Sequence, residues 1–388
     1  MNTASRLPLI FLATGMFAVG CNTFLLAGLL PQIGRTIGQT AAVTGQGTSL
    51  YSLTYLLAAP VFSIFFASKP ARKVIQVALC LFLLGSLITA LAQNLAVFLV
   101  GRALAGVGAG IFTPLCISLA LHFADASSQG RVLSFVWGAS SAGVVFGIPI
   151  GLRLCALAHW QSSILYLMTL GSIALFGLSL QTADLRLPQA PALGERLKLL
   201  IDPKTLSVLA ISCFTATASL GLYSYVSLIQ SGAAHSLSAS LFSWGLGGFI
   251  GSSVIGTVTD RTQSPRSTMA IILLGLILAF VSIPCTKSLP LLGLVPFFLW
   301  GLFGWAVTTP QQQILVEGHD NQGAILAALN SSALGLGSAL GTLLGGFSIS
   351  SGLRENNLPF LAASLLLCVF IGQLVFISNS NKEKAHNP

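Results

Sequence analysis

Twelve apolar stretches follow one another from Leu7 to Ile377, and nearly every charged residue falls in the short gaps between them. A helical run of about 20 apolar residues matches the roughly 30 Å hydrocarbon core of a bilayer. The stretches lie at 7–30, 43–67, 74–93, 95–121, 132–157, 161–181, 205–230, 238–259, 267–286, 288–316, 322–350 and 357–378. With 54% hydrophobic and 7% charged residues, a water-soluble fold could not cover its own surface. The chain reads as an all-α membrane protein with twelve transmembrane helices.

Most connections are a handful of residues, so consecutive helices are antiparallel neighbours. The longer polar connection, 182–204, contains Pro188, Pro191 and Pro203. It cannot bury enough apolar surface to fold alone. It reads as a cytoplasmic linker between a six-helix bundle at 1–181 and a second at 205–388, which ends in a short cytoplasmic tail. Lys and Arg placement sets orientation. With Met1 in the cytoplasm, that side holds 13 basic residues: Arg6, Lys69, Arg72, Lys73, Arg131, Arg186, Arg196, Lys198, Lys204, Arg261, Arg266, Lys382 and Lys384. The opposite side holds four, Arg35, Arg153, Lys287 and Arg354. Both termini are therefore expected in the cytoplasm, and the protein in the cytoplasmic (inner) membrane. The net charge of +9 then reports topology and anionic headgroups rather than nucleic acid. Arg6 and its apolar run look superficially like a signal peptide, but the run is too long and lacks a small-residue cleavage site, so an uncleaved first span is expected. The seven cysteines are scattered singly, with no CxxC and no His at ligand spacing, and read as small buried hydrophobes rather than metal ligands.

The chain repeats itself. Gly143, Gly147 and Gly151 recur every fourth residue in span five, and Gly337, Gly341 and Gly345 do so in span eleven, each pair offset by 194 residues. Residues four apart share a helix face, so each triplet makes a seam that another helix can approach closely. A second echo, offset by 192, links Ile64-Phe-Phe-Ala-Ser68-Lys69-Pro70-Ala71-Arg72-Lys73 to Gly256-Thr-Val-Thr-Asp260-Arg261. Two pseudo-symmetric six-helix bundles follow, an arrangement that alternating-access transporters use.

Four places carry a family likeness: Gly28-Leu29-Leu30-Pro31; Gly101-Arg102-Ala103-Leu104-Ala105-Gly106; Gly147-Ile148-Pro149-Ile150-Gly151 with His159-Trp160; and Leu329-Asn330-Ser331-Ser332 with its glycine run. On these the sequence resembles the major facilitator superfamily, within the drug and sugar efflux branch of arabinose-efflux-permease-like proteins. The resemblance implies a non-enzymatic secondary transporter without a cofactor, working as a monomer. It would export a small organic solute (a sugar, nucleoside, amino-acid derivative or drug) by alternating access, with proton coupling in many relatives. Two alternatives stay open: an uncoupled facilitator or importer, and a degenerate paralogue that does not transport. The family's first cytoplasmic loop is thought to latch a gate through Asp–Arg contacts. Ile64 and Ser68 replace its Gly and Asp here and only Arg72-Lys73 survives, whereas the second copy keeps Gly256, Asp260 and Arg261. The latch is thus expected in the second half only.

Arg102 is the main candidate for function. Inside a span a guanidinium costs roughly 2.5–3.5 kcal/mol and needs a cavity or a partner. Two readings stand: snorkelling toward the outer surface, or the fixed positive charge on the cavity wall that the family motif implies. The nine acidic residues are all in connections, tails or span ends, and no carboxylate sits at mid-membrane. Many relatives carry a Glu in span one just before the position of Phe24; here Thr23 stands there, beside Asn22. Proton coupling is therefore a family expectation without a residue to carry it. The cycle is either uncoupled or protonates the substrate or a group nearer the interface, Glu317 being the nearest candidate.

By the resemblance, spans one, four, seven and ten line the cavity. The candidate substrate-binding residues are Asn22 and Thr23, Arg102 and Thr113, Tyr223 and Tyr225, and Trp305, Thr308 and Gln311, with Asn330 in span eleven and Tyr51 or Tyr55 as secondary candidates. Spacing by three puts Trp305, Thr308 and Gln311 on one helix face. Each alone also reads as interhelical glue. Together, aromatics, amides and hydroxyls suit a neutral or weakly polar organic solute, and Arg102 tolerates an anionic group. No nucleotide-binding glycine loop, nucleophile with a base, or metal-ligand set is present.

Overall fold

The computed structural model describes residues 3–65, 69–123, 129–181, 199, 201–262, 264–317 and 322–386. The expected linker lies outside them up to residue 198, as do 66–68 of the first loop motif and the side chain of Asp260.

Among the described residues the architecture is helical. Eleven segments are long and apolar enough to cross a bilayer. One more helix, Ala41–Phe65, has 25 residues and so a length of about 37 Å. In chain order the spans are α1 (Thr3–Ile37), α2 (Ala41–Phe65), α3 (Ala71–Ala90), α4 (Leu95–His122), α5 (Gln129–Ala142 continued by Ile148–Leu157), α6 (Trp160–Gln181), α7 (Pro203–Ala216 and the turn after it), α8 (Leu237–Thr262), α9 (Pro265–Thr286), α10 (Val295–Ala306 and Thr308–Val316), α11 (Gly323–Ser350) and α12 (Leu358–His386). Helices are the expected form because each satisfies its own backbone where lipid offers no partner. Large apolar side chains such as Phe176, Phe347 and Leu291 stay outward, which lipid tolerates and water would not.

The chain divides into two compact units, Met1–Ala190 and Pro191–Pro388. Within the first, α1 packs on α5 and α6, α4 on α2 and α3, and α3 on α6. Within the second, α7 packs on α11 and α12, α10 on α8 and α9, and α9 on α12. These are the same pairings shifted by six helices.

The two glycine seams occupy equivalent contacts. A Cβ on Gly143 would overlap the Phe17 carbonyl oxygen of α1, and one on Gly147 would press on Cys21. In the second unit a Cβ on Gly337 would overlap the Cys213 carbonyl oxygen of α7, and one on Gly341 that of Thr217. Gly151 and Gly345 extend the seams against Leu25 and the Tyr225 ring. With no hydrophobic drive between helices in lipid, such backbone-level packing is what holds them.

Three spans depart from the continuous helices expected. Span five widens to a π turn over Gly143–Gly147, just before Pro149, which has no N–H to close on Val145. Span seven does so over Thr217–Gly221 and then unwinds before a short helix, Val226–Ile229. Span ten starts as a 3-10 turn at Leu292–Leu294 and its hydrogen-bond ladder breaks at Val307, because Pro310 cannot donate to Ala306. Val307 itself keeps helical dihedrals, φ −55° and ψ −38°, so the chain direction is preserved. Span seven also starts earlier than expected, at Pro203, where the Asp202 carboxylate accepts from the Thr205 N–H at 2.7 Å.

Candidate functional site

In the first unit α4 carries Arg102 seven residues past Leu95, so its Cα is about 10 Å from the helix start. The side chain does not reach an interface: it is 1% exposed. Its stem lies beside Gly47 of α2, where a larger residue would crowd it. The guanidinium carbon sits 4.3 Å from the centroid of the Tyr51 ring. Nη1 donates to Asn22 Oδ1 of α1 at 3.3 Å. Nε and Nη2 meet no acceptor. Thr23 donates to the Val19 carbonyl at 2.8 Å and its hydroxyl is 3.4 Å from the Tyr51 hydroxyl. Asn22, Thr23, Tyr51 and Arg102 thus form one buried polar cluster joining three helices. Snorkelling does not describe Arg102. A cation against a ring face in a desolvated place gains about 2 kcal/mol, which offsets part of its burial cost.

Thr113 is not part of this cluster. It lies eleven residues further along α4, about 16 Å, and donates to the Ala109 carbonyl at 3.0 Å, on the stretch facing Tyr55.

The second unit holds a different group of rings. The Tyr223 and Trp244 rings are 4.4 Å apart, and Trp300 and Trp305 pack on Trp244 at 6.2 and 5.6 Å. Trp300 Nε1 donates to Ser219 Oγ at 2.8 Å, inside the π turn of α7. Phe280 and Phe297 close the cluster around Trp300. The remaining candidates lie elsewhere. The Tyr225 hydroxyl donates to the Thr342 carbonyl at 2.8 Å, and Asn330 Oδ1 accepts from Ser212 Oγ at 2.6 Å; both join α7 to α11. The expected face of Trp305, Thr308 and Gln311 straddles the ladder break. Trp305 is half-buried, Thr308 is exposed, and Gln311 is 0% exposed with neither amide atom hydrogen-bonded.

Of the residues of the two loop motifs, Arg72, Lys73 and Arg261 are exposed, and Gly256 faces open space. An ion pair missed in the sequence lies near the second copy. Arg266 Nη2 donates to Glu317 Oε2 at 2.6 Å, Lys204 Nζ to the Glu317 carbonyl at 2.9 Å, and Gln373 Nε2 to the Arg266 carbonyl at 3.0 Å. Those bonds tie the starts of α7 and α9 to the end of α10 and to α12. Basic residues flanking the spans were its sequence signal, but the pairing needs the folded ends.

Among the described residues no group of His, Cys, Asp or Glu is arranged to hold a metal. The chain is 26% identical over 386 residues to the inner membrane transport protein YdhP of Escherichia coli K12, covering 96% of this chain and 99% of that one. It is 24% identical to a chloramphenicol resistance protein of Streptomyces lividans, with 94% of each covered. Its fold matches a bacterial homologue of the human lysosomal transporter Spinster, solved inward-facing and unoccupied, with a TM-score of 0.72 at 15% identity over 97% of this chain and 95% of that one. The family model of the Major Facilitator Superfamily matches residues 12–342, and the chain belongs to that superfamily of membrane transporters.

Proposed function

We propose that this transporter exports a small organic solute by alternating access, from the cytoplasmic membrane and as a monomer, with both termini in the cytoplasm. The cluster of Arg102, Asn22, Thr23 and Tyr51 is the substrate-recognising part of the first unit. One observation carries this: Arg102 is enclosed in protein, held by an amide and a ring, yet keeps two nitrogens without acceptors. A purely structural arginine in lipid would have its donors filled, because each unfilled one costs free energy. Similarity to a resistance protein favours the outward direction. In the second unit the Tyr223, Trp244 and Trp305 rings offer stacking surfaces for an organic solute.

The test is transport by purified protein in proteoliposomes, screened with labelled sugars, nucleosides, amino acids and drugs. Arg102→Ala should abolish transport while the variant still inserts and elutes as a single species. Unchanged transport at equal protein density refutes the site.

A second reading, a facilitator without proton coupling, is favoured by a sequence that places no carboxylate in the middle of a span. Substrate addition then moves no protons across the proteoliposome membrane.

A further inference from the structure

The first unit has an unbalanced charge. Over Met1–Ala190 there are nine basic residues and two acidic ones, Asp125 and Asp184. In the sequence Asp125 comes 23 residues after Arg102 and Asp184 follows span six, so both fall in connections. No carboxylate within this unit's spans is available to Arg102. Thr23 of span one has its hydroxyl 3.4 Å from that of Tyr51, the residue under the guanidinium.

The free donors have a shape. A guanidinium has five N–H groups, and the Nε and Nη2 nitrogens carry three of them. Nε–H and one Nη2–H point in parallel, and this edge is the fork that binds a planar oxyanion through both oxygens. On Arg102 it is the Nε/Nη2 edge that is unfilled, while Nη1 is the nitrogen taken by Asn22. Asn22 leaves the fork without an acceptor, and the Tyr51 ring covers one face of the group. The cluster is therefore rich in donors and lacks an anion.

We infer that the Nε/Nη2 edge of Arg102 docks the carboxylate of an anionic organic solute, which brings the counter-charge that the first unit lacks. This inference rests on the reading of Arg102 as part of the transport site. The substrate class becomes small organic carboxylates, and the ion pair forms only while substrate is bound. A transporter built this way needs no protonatable residue of its own: the carboxylate and the guanidinium neutralise one another during passage. Net movement of the solute then carries one negative charge, so it is driven or opposed by the membrane potential.

The full-length protein in nanodiscs tests this by thermal unfolding at fixed ionic strength in chloride. Formate, acetate, benzoate and salicylate are compared with formamide, acetamide, benzamide and salicylamide. At least one carboxylate should raise Tm in a saturable way that its amide does not reproduce. Arg102→Lys, which keeps the charge but not the fork, should weaken that carboxylate by at least tenfold. Because an arginine variant can fail to fold, Thr23→Glu is the second arm. It supplies an internal carboxylate beside Arg102, so it should raise the Tm of the ligand-free protein and remove the response to carboxylates. The inference is overturned if no carboxylate stabilises the wild type, if amides act equally, if chloride alone gives the whole shift, or if Thr23→Glu leaves the response intact. Proteoliposomes separate this from the transport reading. Arg102-dependent passage of a neutral solute, insensitive to a valinomycin-imposed potential, sinks the anion and keeps the transporter. Carboxylate binding abolished by Thr23→Glu, with no solute crossing, does the reverse.

Discussion

Arg102 and Tyr51 form a cation–π pair inside the first unit, with the guanidinium carbon 4.3 Å from the ring centroid and both side chains buried. The ring offers the cation electron density over a whole face, whereas Asn22 accepts only one of its N–H groups. Removing the ring should cost about 2 kcal/mol, the value for a desolvated pair. Tyr51→Leu is therefore expected to lower Tm clearly in nanodiscs and to impair transport. Tyr51→Phe keeps the ring and gives up the hydroxyl's contacts with Thr23, at 3.4 Å, and with Asn22, so its Tm should fall less than that of Tyr51→Leu. Equal losses for both variants would assign the effect to the hydroxyl.

The seam between α7 and α11 predicts a sharp contrast between two glycines of the second unit. A Cβ at Gly341 would overlap the Thr217 carbonyl oxygen and press on Gly221, both backbone atoms that cannot swing aside. Gly341→Val should cost at least the roughly 1–3 kcal/mol typical of overpacking, and more where helices must part. Fluorescence-detected size exclusion should show loss of the folded peak. Gly256, although part of a sequence motif, has open space for 4 Å around the place a Cβ would take, so Gly256→Ala should fold as the wild type does.

Hydropathy and the spacing of charges made the helical membrane architecture legible, because the length of a lipid-spanning helix is set by the bilayer and not by its neighbours. The glycine triplets were legible for a similar reason: a period of four marks one face whatever the partner is. The breaks were not. The π turns at Gly143–Gly147 and Thr217–Gly221 sit where α5 meets α1 and α7 meets α11, so they depend on contacts that no local pattern encodes. Pro310 was visible as a proline, but its broken ladder shows at Val307, before the Thr308 and Gln311 positions. At the site, Arg102 and Asn22 each stood out as polar residues in apolar runs. Their hydrogen bond spans 80 residues of sequence and Tyr51 adds a third helix, which only the packing of α1, α2 and α4 brings together. The rings of Tyr223, Trp244 and Trp300 come from three helices and escaped notice as a group.

Glu317 was the nearest candidate for a proton carrier, and its geometry argues for a different role. Its carboxylate pairs with Arg266 at 2.6 Å while remaining 48% exposed, against 14% for the arginine. Exposed pairs contribute roughly 0–1 kcal/mol. Glu317→Gln should change stability by less than about 1 kcal/mol, and a double-mutant cycle with Arg266→Gln should give a coupling of similar size. The pH profile of transport should be unchanged in Glu317→Gln; a profile flattened by this one substitution would make Glu317 the titrating group.

His235, in the connection between α7 and α8, is the group from which a pH dependence of stability is expected. Partial burial lowers its pKa from the ordinary 6.5. Gln230 Nε2 lies 3.1 Å from His235 Nε2 and also donates to Ser240 Oγ. An amide nitrogen donates and does not accept, so in this contact His235 Nε2 is placed to accept, as the neutral ring can. Protonation turns that acceptor into a second donor facing the amide. Since the folded pKa lies below the unfolded one, the unfolded chain binds the proton more readily. Stability is then fully present above about pH 6.5 and declines as pH falls below it toward the folded pKa. Tm measured between about pH 7.5 and 5 should fall in the wild type, and the fall should be shallower in His235→Asn, which keeps a short polar side chain but does not titrate. Parallel pH curves for the two proteins would remove His235 from the account.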